Sequence, residues 1–261
     1  RGMGARVRLR LHEGDGEPGW EAALGDVEQA AVAAEGPRVR SALTRWLARR
    51  ALSDLRGDVP PHVWALGKSA TGRPLVGAGD MGVGRPALDV SLSHTDDAVA
   101  AAATEGARVG VDIEDARRDV RHDALIARFF APSEREWLER LPAADRREAF
   151  FWLWVSKEAV IKANDGALGR DIGRVELAPA STWRTTAPAE RDASVAATPR
   201  VEVDVQTSST RGRAYPAIRC DGPRLVAPGA CELEHFVWGH YRVAVAVLAR
   251  VGGATGEVDN A

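Results

Sequence analysis

Residues 110–114 read Gly110-Val111-Asp112-Ile113-Glu114, and the stretch has the alternation of a strand. Side chains two apart on a strand point the same way, so Val111 and Ile113 are expected in the core, with Asp112 and Glu114 on the opposite face. Adjacent carboxylates repel unless a cation sits between them, and an oxygen-rich pair of this kind suits Mg²⁺. Taken alone, a strand end carrying two solvated acids is the simpler reading.

Two more strand-like runs precede it, at 88–92 and 98–103, and alternation predicts another strand at 5–11. Between them, apolar spacing and flanking arginines predict a helix over 38–55. A short strand is expected at 63–66 and a Gly-rich loop at 77–84. Beyond Asp115 the pattern turns helical, at 123–130, 132–141 and 144–163. Asn164-Asp165-Gly166 reads as a C-terminal cap on the last of these. Strands return at 175–177, 201–205 and 241–248, and residues 182–199 read as a loop.

Composition narrows the function classes. Of 261 residues, 45% are hydrophobic and 28% charged, which is compatible with a conventional core. Lys+Arg 35 against Asp+Glu 37 gives a net charge of -2, which argues against general nucleic-acid binding. No run approaches the roughly 18 apolar residues of a spanning helix, so no membrane partner is expected. Cys220 and Cys231 make neither a disulfide scaffold nor a four-cysteine zinc site. The start lacks the apolar run of a signal peptide, and a cytoplasmic protein is expected.

Three further segments carry chemistry. In Trp154-Val155-Ser156-Lys157-Glu158-Ala159-Val160-Ile161-Lys162, helical spacing puts Trp154, Glu158 and Lys162 along one side, with Lys157 on the flank. Glu158 could supply a third metal ligand or a base, with ammoniums placed for phosphate. Alone, this is an ordinary Glu–Lys helix pair worth ~0.3 kcal/mol. Ser91-Leu92-Ser93-His94-Thr95 closes a strand; adjacent residues face opposite ways, so a direct Ser–His relay is disfavoured and phosphate binding fits better. Arg40, on the arginine helix, and Arg73, in Gly72-Arg73-Pro74, add cations. Finally, Ser93–Ala100 and Gly239–Val245 each place a small residue and His before an apolar strand. A duplicated helix-plus-strands unit with a junction near Asp115 would explain this, and sequence alone leaves it open.

Together these motifs resemble the Sfp-type 4′-phosphopantetheinyl transferases. The resemblance rests on Gly110–Glu114, on Trp154-x-x-Lys157-Glu158-Ala159-x-x-Lys162, and on Phe130-Ala131-Pro132-Ser133-Glu134 between them. Gly72-Arg73-Pro74, Ser91–His94 and the Arg40 helix lie upstream in the expected order. The resemblance implies an α+β fold of two similar pseudo-duplicated subdomains, 1–116 and 117–261, with the active site at their interface. It implies Mg²⁺-dependent transfer of 4′-phosphopantetheine from coenzyme A to a serine of an acyl or peptidyl carrier protein, releasing 3′,5′-ADP. Asp112, Glu114 and Glu158 would hold the metal. Glu158, or a water that it orients, would be the base, and Lys162 would stabilise pyrophosphate charge alongside Lys157. Arg40, Arg73, Ser93 and His94 would bind the nucleotide phosphates. Arg117, Arg118 and Arg121, with Phe129, Phe130 or Trp137, would meet the carrier, and a monomer is expected. A Mg²⁺-dependent phosphohydrolase and a non-catalytic carrier-binding module are the alternatives.

Overall fold

The structure is a computed structural model that describes residues 5–15, 19–25, 28–29, 37–77, 86–179, 201–209, 218–219, 225–226 and 231–249. Alternation forms β1 (Ala5–Glu13), with Val7, Leu9 and Leu11 buried. The arginine-flanked apolar stripe forms α1 (Pro37–Arg56). A small hairpin, β2 (Leu66–Lys68) and β3 (Pro74–Val76), leads to β4 (Leu88–His94), β5 (Ala98–Glu105) and β6 (Ala107–Asp115). Helices α2 (His122–Phe129), α3 (Pro132–Arg140), α4 (Ala143–Ala163) and α5 (Leu168–Asp171) follow. The remaining strands are β7 (Ala178–Pro179), β8 (Val201–Ser209), β9 (Ile218–Arg219), β10 (Leu225–Val226), β11 (Cys231–Trp238) and β12 (Tyr241–Ala249).

Two four-stranded sheets form, in the orders β4-β5-β1-β8 and β6-β12-β11-β9. Within them only β1–β8 is parallel. Leu9, Leu11, Ala100 and Ala102 of the first sheet pack on Val109, Val111, Val243 and Val245 of the second. On the outer face of the first sheet, α1 sets Leu43, Leu47 and Leu52 against Val90, Val99, Ala101 and Ala103. On the second, α4 sets Ala159, Val160 and Ala163 against Ala244 and Ala246. The layers therefore run helix, sheet, sheet, helix, a mixed α+β architecture. The alanine run of β5 is buried on both faces, where small side chains let helix and sheet approach closely. Among the described residues, no helix is long and apolar enough to cross a membrane.

Two glycines decide local geometry. A Cβ on Gly110 would stand 1.9 Å from the Ala159 carbonyl oxygen, so only glycine lets α4 cross β6 this closely. Gly239, at φ 59°, opens the two-residue turn that joins Trp238 of β11 to Tyr241 of β12.

Several expectations are corrected. The strand expected at 63–66 is a 3₁₀ turn, Pro61–Val63, followed by β2 from Leu66. The prolines start the turn, and buried Trp64 anchors its exit by donating from Nε1 to Ser53 Oγ at 2.9 Å. Residues 175–177 are irregular, because the Leu177 N–H donates to Glu134 Oε1 at 2.8 Å. The cap expected over Asn164-Asp165-Gly166 does form, with Asp165 as its left-handed residue, at φ 59°. Gly166 N–H reaches the Ile161 carbonyl at 2.9 Å and Asp165 N–H the Lys162 carbonyl at 3.3 Å, a Schellman arrangement. Two pairings cross the boundary expected at 116: β6, before it, pairs with β12, and β8, after it, pairs with β1. Of the loop expected at 77–84 the structure describes Gly77 alone, and the loop expected at 182–199 lies outside the described residues.

Candidate active site

The site grows from the edge of β6 that faces away from β12. Strand alternation puts Asp89, Ser91 and Ser93 of β4 on one face. The Val109 N–H donates to Asp89 Oδ2 at 2.7 Å and the Val111 N–H to Ser91 Oγ at 3.0 Å. The carbonyls on that edge accept from Arg73 Nη2 at 2.9 Å, on Val109, and from Lys162 Nζ at 3.1 Å, on Val111. Side chains thus satisfy the backbone groups that a neighbouring strand would otherwise take up. This joins β4, the β2–β3 hairpin and α4 around one strand.

At the end of that edge, Asp112, Glu114 and Glu158 bring one oxygen each within 4.8 Å of one another. Asp112 Oδ1 accepts from Ser93 Oγ at 2.7 Å and from Lys162 Nζ at 2.6 Å. Lys162 Nζ also donates to Ser93 Oγ at 3.0 Å and stands 3.9 Å from Glu158 Oε2. Burial, and then repulsion from Asp112, pushes the Glu158 carboxyl up to about 9 and that of Glu114 up to about 7. Burial would lower Lys162, but the carboxylates of Asp112 and Glu158 outweigh it and hold the ammonium above its ordinary value. The cluster fits a hard divalent cation. Its donors are all oxygen, and Asp112 Oδ2 is buried with no hydrogen-bond partner, which leaves a lone pair for a ligand.

His94 ends β4 beside this cluster. Burial, then the charges of Lys162 and Arg40, hold its imidazole below the ordinary value. Arg40 Nη1 donates to the Gly14 carbonyl at 3.0 Å and Nη2 to the Asp96 carbonyl. A guanidinium has five donors, so Arg40 retains some for an anion. Arg40 and Lys162 form the cationic side of the site, with the His94 imidazole beside them.

Two expected ligands are placed elsewhere. Lys157 is completely buried, with Nζ 2.5 Å from Glu134 Oε2 and 5.1 Å from the centre of the Phe130 ring. On the flank of α4 its ammonium lies against Glu134 of α3 rather than among Asp112, Glu114 and Glu158. Glu134 also caps α3 by accepting the Ala131 N–H at 2.8 Å. Arg73 is buried, with its Nη donors on Asp89, the Val109 carbonyl and the Lys162 carbonyl, while its buried Nε has no hydrogen-bond partner. Ser93 is brought into the site, but its hydroxyl orients Asp112 and Lys162.

The proposed docking groups are divided. Arg118 pairs with Glu114 at 3.3 Å and Arg117 with Asp115 at 2.8 Å, while Arg121 is exposed. Phe130 is core, stacked on Phe150 at 5.6 Å, and Phe129 and Trp137 pack half-buried on the same cluster. Asp89 was not singled out from the sequence. Its signal was the Asp89-x-Ser91-x-Ser93 alternation, which lines up three polar side chains on one strand face.

Residues 108–213 match the family described as the 4′-phosphopantetheinyl transferase superfamily. Over 154 residues the chain is 30% identical to 4′-phosphopantetheinyl transferase HetI of Nostoc sp. (strain PCC 7120), covering 58% of this chain and 63% of HetI. Over 78 residues it is 40% identical to 4′-phosphopantetheinyl transferase psf-1 of Bacillus pumilus, covering 30% of this chain and 32% of psf-1. The matches thus span less than two thirds of the length of these curated relatives.

Proposed function

We propose that this chain, whose residues 108–213 match the 4′-phosphopantetheinyl transferase superfamily, transfers the phosphopantetheine arm of coenzyme A to a serine of an acyl or peptidyl carrier protein. The observation that carries this reading is the cluster of Asp112, Glu114 and Glu158 beside the cations Lys162 and Arg40 and the imidazole of His94. In the reaction the serine oxygen bonds to the phosphorus attached to pantetheine. The phosphoanhydride bond breaks, and 3′,5′-ADP leaves with the electron pair.

Asp112, Glu114 and Glu158 would hold Mg²⁺, which when bound neutralises charge on the two phosphates. Ser93 keeps Asp112 in place through its hydrogen bond. Lys162, paired with Asp112 at 2.6 Å, would turn its ammonium to the pyrophosphate as negative charge develops there. Arg40 and His94 would take the nucleotide phosphates, with the guanidinium suited to the 3′-phosphate. Glu158, or a water that it orients, would accept the serine proton. The protein would act as a cytoplasmic monomer, built as two similar subdomains with the site at their interface.

Release of 3′,5′-ADP tests this directly. Transfer requires that release depend on both Mg²⁺ and apo-carrier. Substantial release from coenzyme A without carrier would mean that water is the acceptor and the protein is a phosphohydrolase.

A further inference from the structure

Arg73 lies outside the machinery just described, although it is among the most heavily bonded side chains near it. The β2–β3 hairpin that carries it meets the C-terminal end of α4. Thr71 Oγ1 donates to Asp165 Oδ1 at 2.7 Å, on the left-handed residue that caps the helix. Arg73 Nη1 donates to the backbone carbonyl of Lys162. Its Nη2 donates to the Val109 carbonyl at 2.9 Å and to the Asp89 carboxylate. Asp89 Oδ2 in turn accepts the Val109 N–H at 2.7 Å. The Arg73 and Asp89 side chains are only 6% and 10% exposed.

One guanidinium therefore holds the last turn of α4 and the edge of β6 in a single geometry. Glu158 and Lys162 come from the first of these elements, and Asp112 and Glu114 from the second. A lysine offers one point charge on a flexible stem and cannot reproduce the fork. We propose that Arg73 is a positioning residue. With Asp89 and the Thr71–Asp165 contact, it latches α4 onto β6 and so sets the cation affinity of the carboxylate cluster without touching coenzyme A. The cation part of this proposal rests on the proposed function; the latch itself does not.

The test uses the full chain carrying Arg73→Lys, Asp89→Asn or Thr71→Val. Hydrogen exchange is followed in peptides covering 107–115 and 158–166. Mn²⁺ binding is followed by electron paramagnetic resonance, and KM is measured for coenzyme A. Arg73→Lys and Asp89→Asn should speed exchange in both segments by about tenfold or more. They should weaken Mn²⁺ binding by about fivefold or more. The coenzyme A KM should stay within about twofold of wild type. Thr71 is exposed, so Thr71→Val should fold even where the buried variants do not, and it should speed exchange in 158–166 alone. Unchanged exchange in Thr71→Val and Arg73→Lys would overturn the latch. So would a raised coenzyme A KM with normal Mn²⁺ binding, which would make Arg73 a nucleotide ligand. If wild type itself binds no Mn²⁺, the metal reading fails, and the exchange data still decide the latch.

Discussion

Asp112 has one carboxylate oxygen in two hydrogen bonds, while its other, buried oxygen has none. On the proposed function, that oxygen is the one that would meet the cation. Asp112→Asn should therefore cut phosphopantetheine transfer by about a hundredfold or more while the protein stays folded, as read by steady-state kinetics beside a thermal melt. The neighbouring carboxyls give a pH signature. Glu114, at about 7, and Glu158, at about 9, lie above the ordinary glutamate range because of burial first and Asp112 second. The metal-free native state then binds more protons than the unfolded chain. This stabilising contribution is complete below the ordinary value and is lost as pH rises through about 7 and then about 9. Tm of the metal-free protein should fall as pH is raised from about 6 to about 9, and Mg²⁺ should recover more of it at the upper end. A Tm indifferent to Mg²⁺ throughout would remove the cluster as a cation site.

At the scale of elements, the central contact is α4 across β6. Gly110→Ala would drive a methyl into the Ala159 carbonyl and must push the helix away. A loss of about 3 kcal/mol or more is expected in denaturant unfolding, together with the loss of activity. Lys157 and Glu134 hold the other flank of α4. Lys157→Met leaves a buried carboxylate without its ammonium and should cost about 3–5 kcal/mol. A change within experimental error would mean that the pair contributes little.

The same elements show how far the sequence could be read. Alternation in Val109–Glu114 gave the facing of Asp112 and Glu114 correctly, because β6 has a core on one side and α4 on the other. Helical spacing likewise brought Glu158 and Lys162 to one side. Lys157 and Arg73 lie buried in ion pairs that the sequence did not announce, for a physical reason. A buried cation is legible only through its partner, and Glu134 and Asp89 lie 23 and 16 residues away. Local pattern carries no trace of such a pairing.

For the whole molecule, the two sheets exchange strands across the middle of the chain. β8 joins β1, and β6 joins β12. The parallel β1–β8 pairing links strands almost 200 residues apart, and no turn signal announces it. Fragments 1–116 and 117–261 should therefore fail to fold when expressed separately and should show little cooperative unfolding by circular dichroism. Independent cooperative melting of both would contradict the sheet topology. The fold nevertheless brings residues from both fragments to one site: His94 and Arg40 on one side, Glu158 and Lys162 on the other. That convergence is what the proposed transfer needs. It is tested most directly by the intact mass of an apo acyl or peptidyl carrier protein after incubation with this protein, coenzyme A and Mg²⁺. The account predicts that the carrier gains the mass of one phosphopantetheine group on its serine, and that Asp112→Asn protein leaves it unmodified. A panel of both carrier classes left unmodified by the wild-type protein, with coenzyme A consumed or untouched, would contradict it.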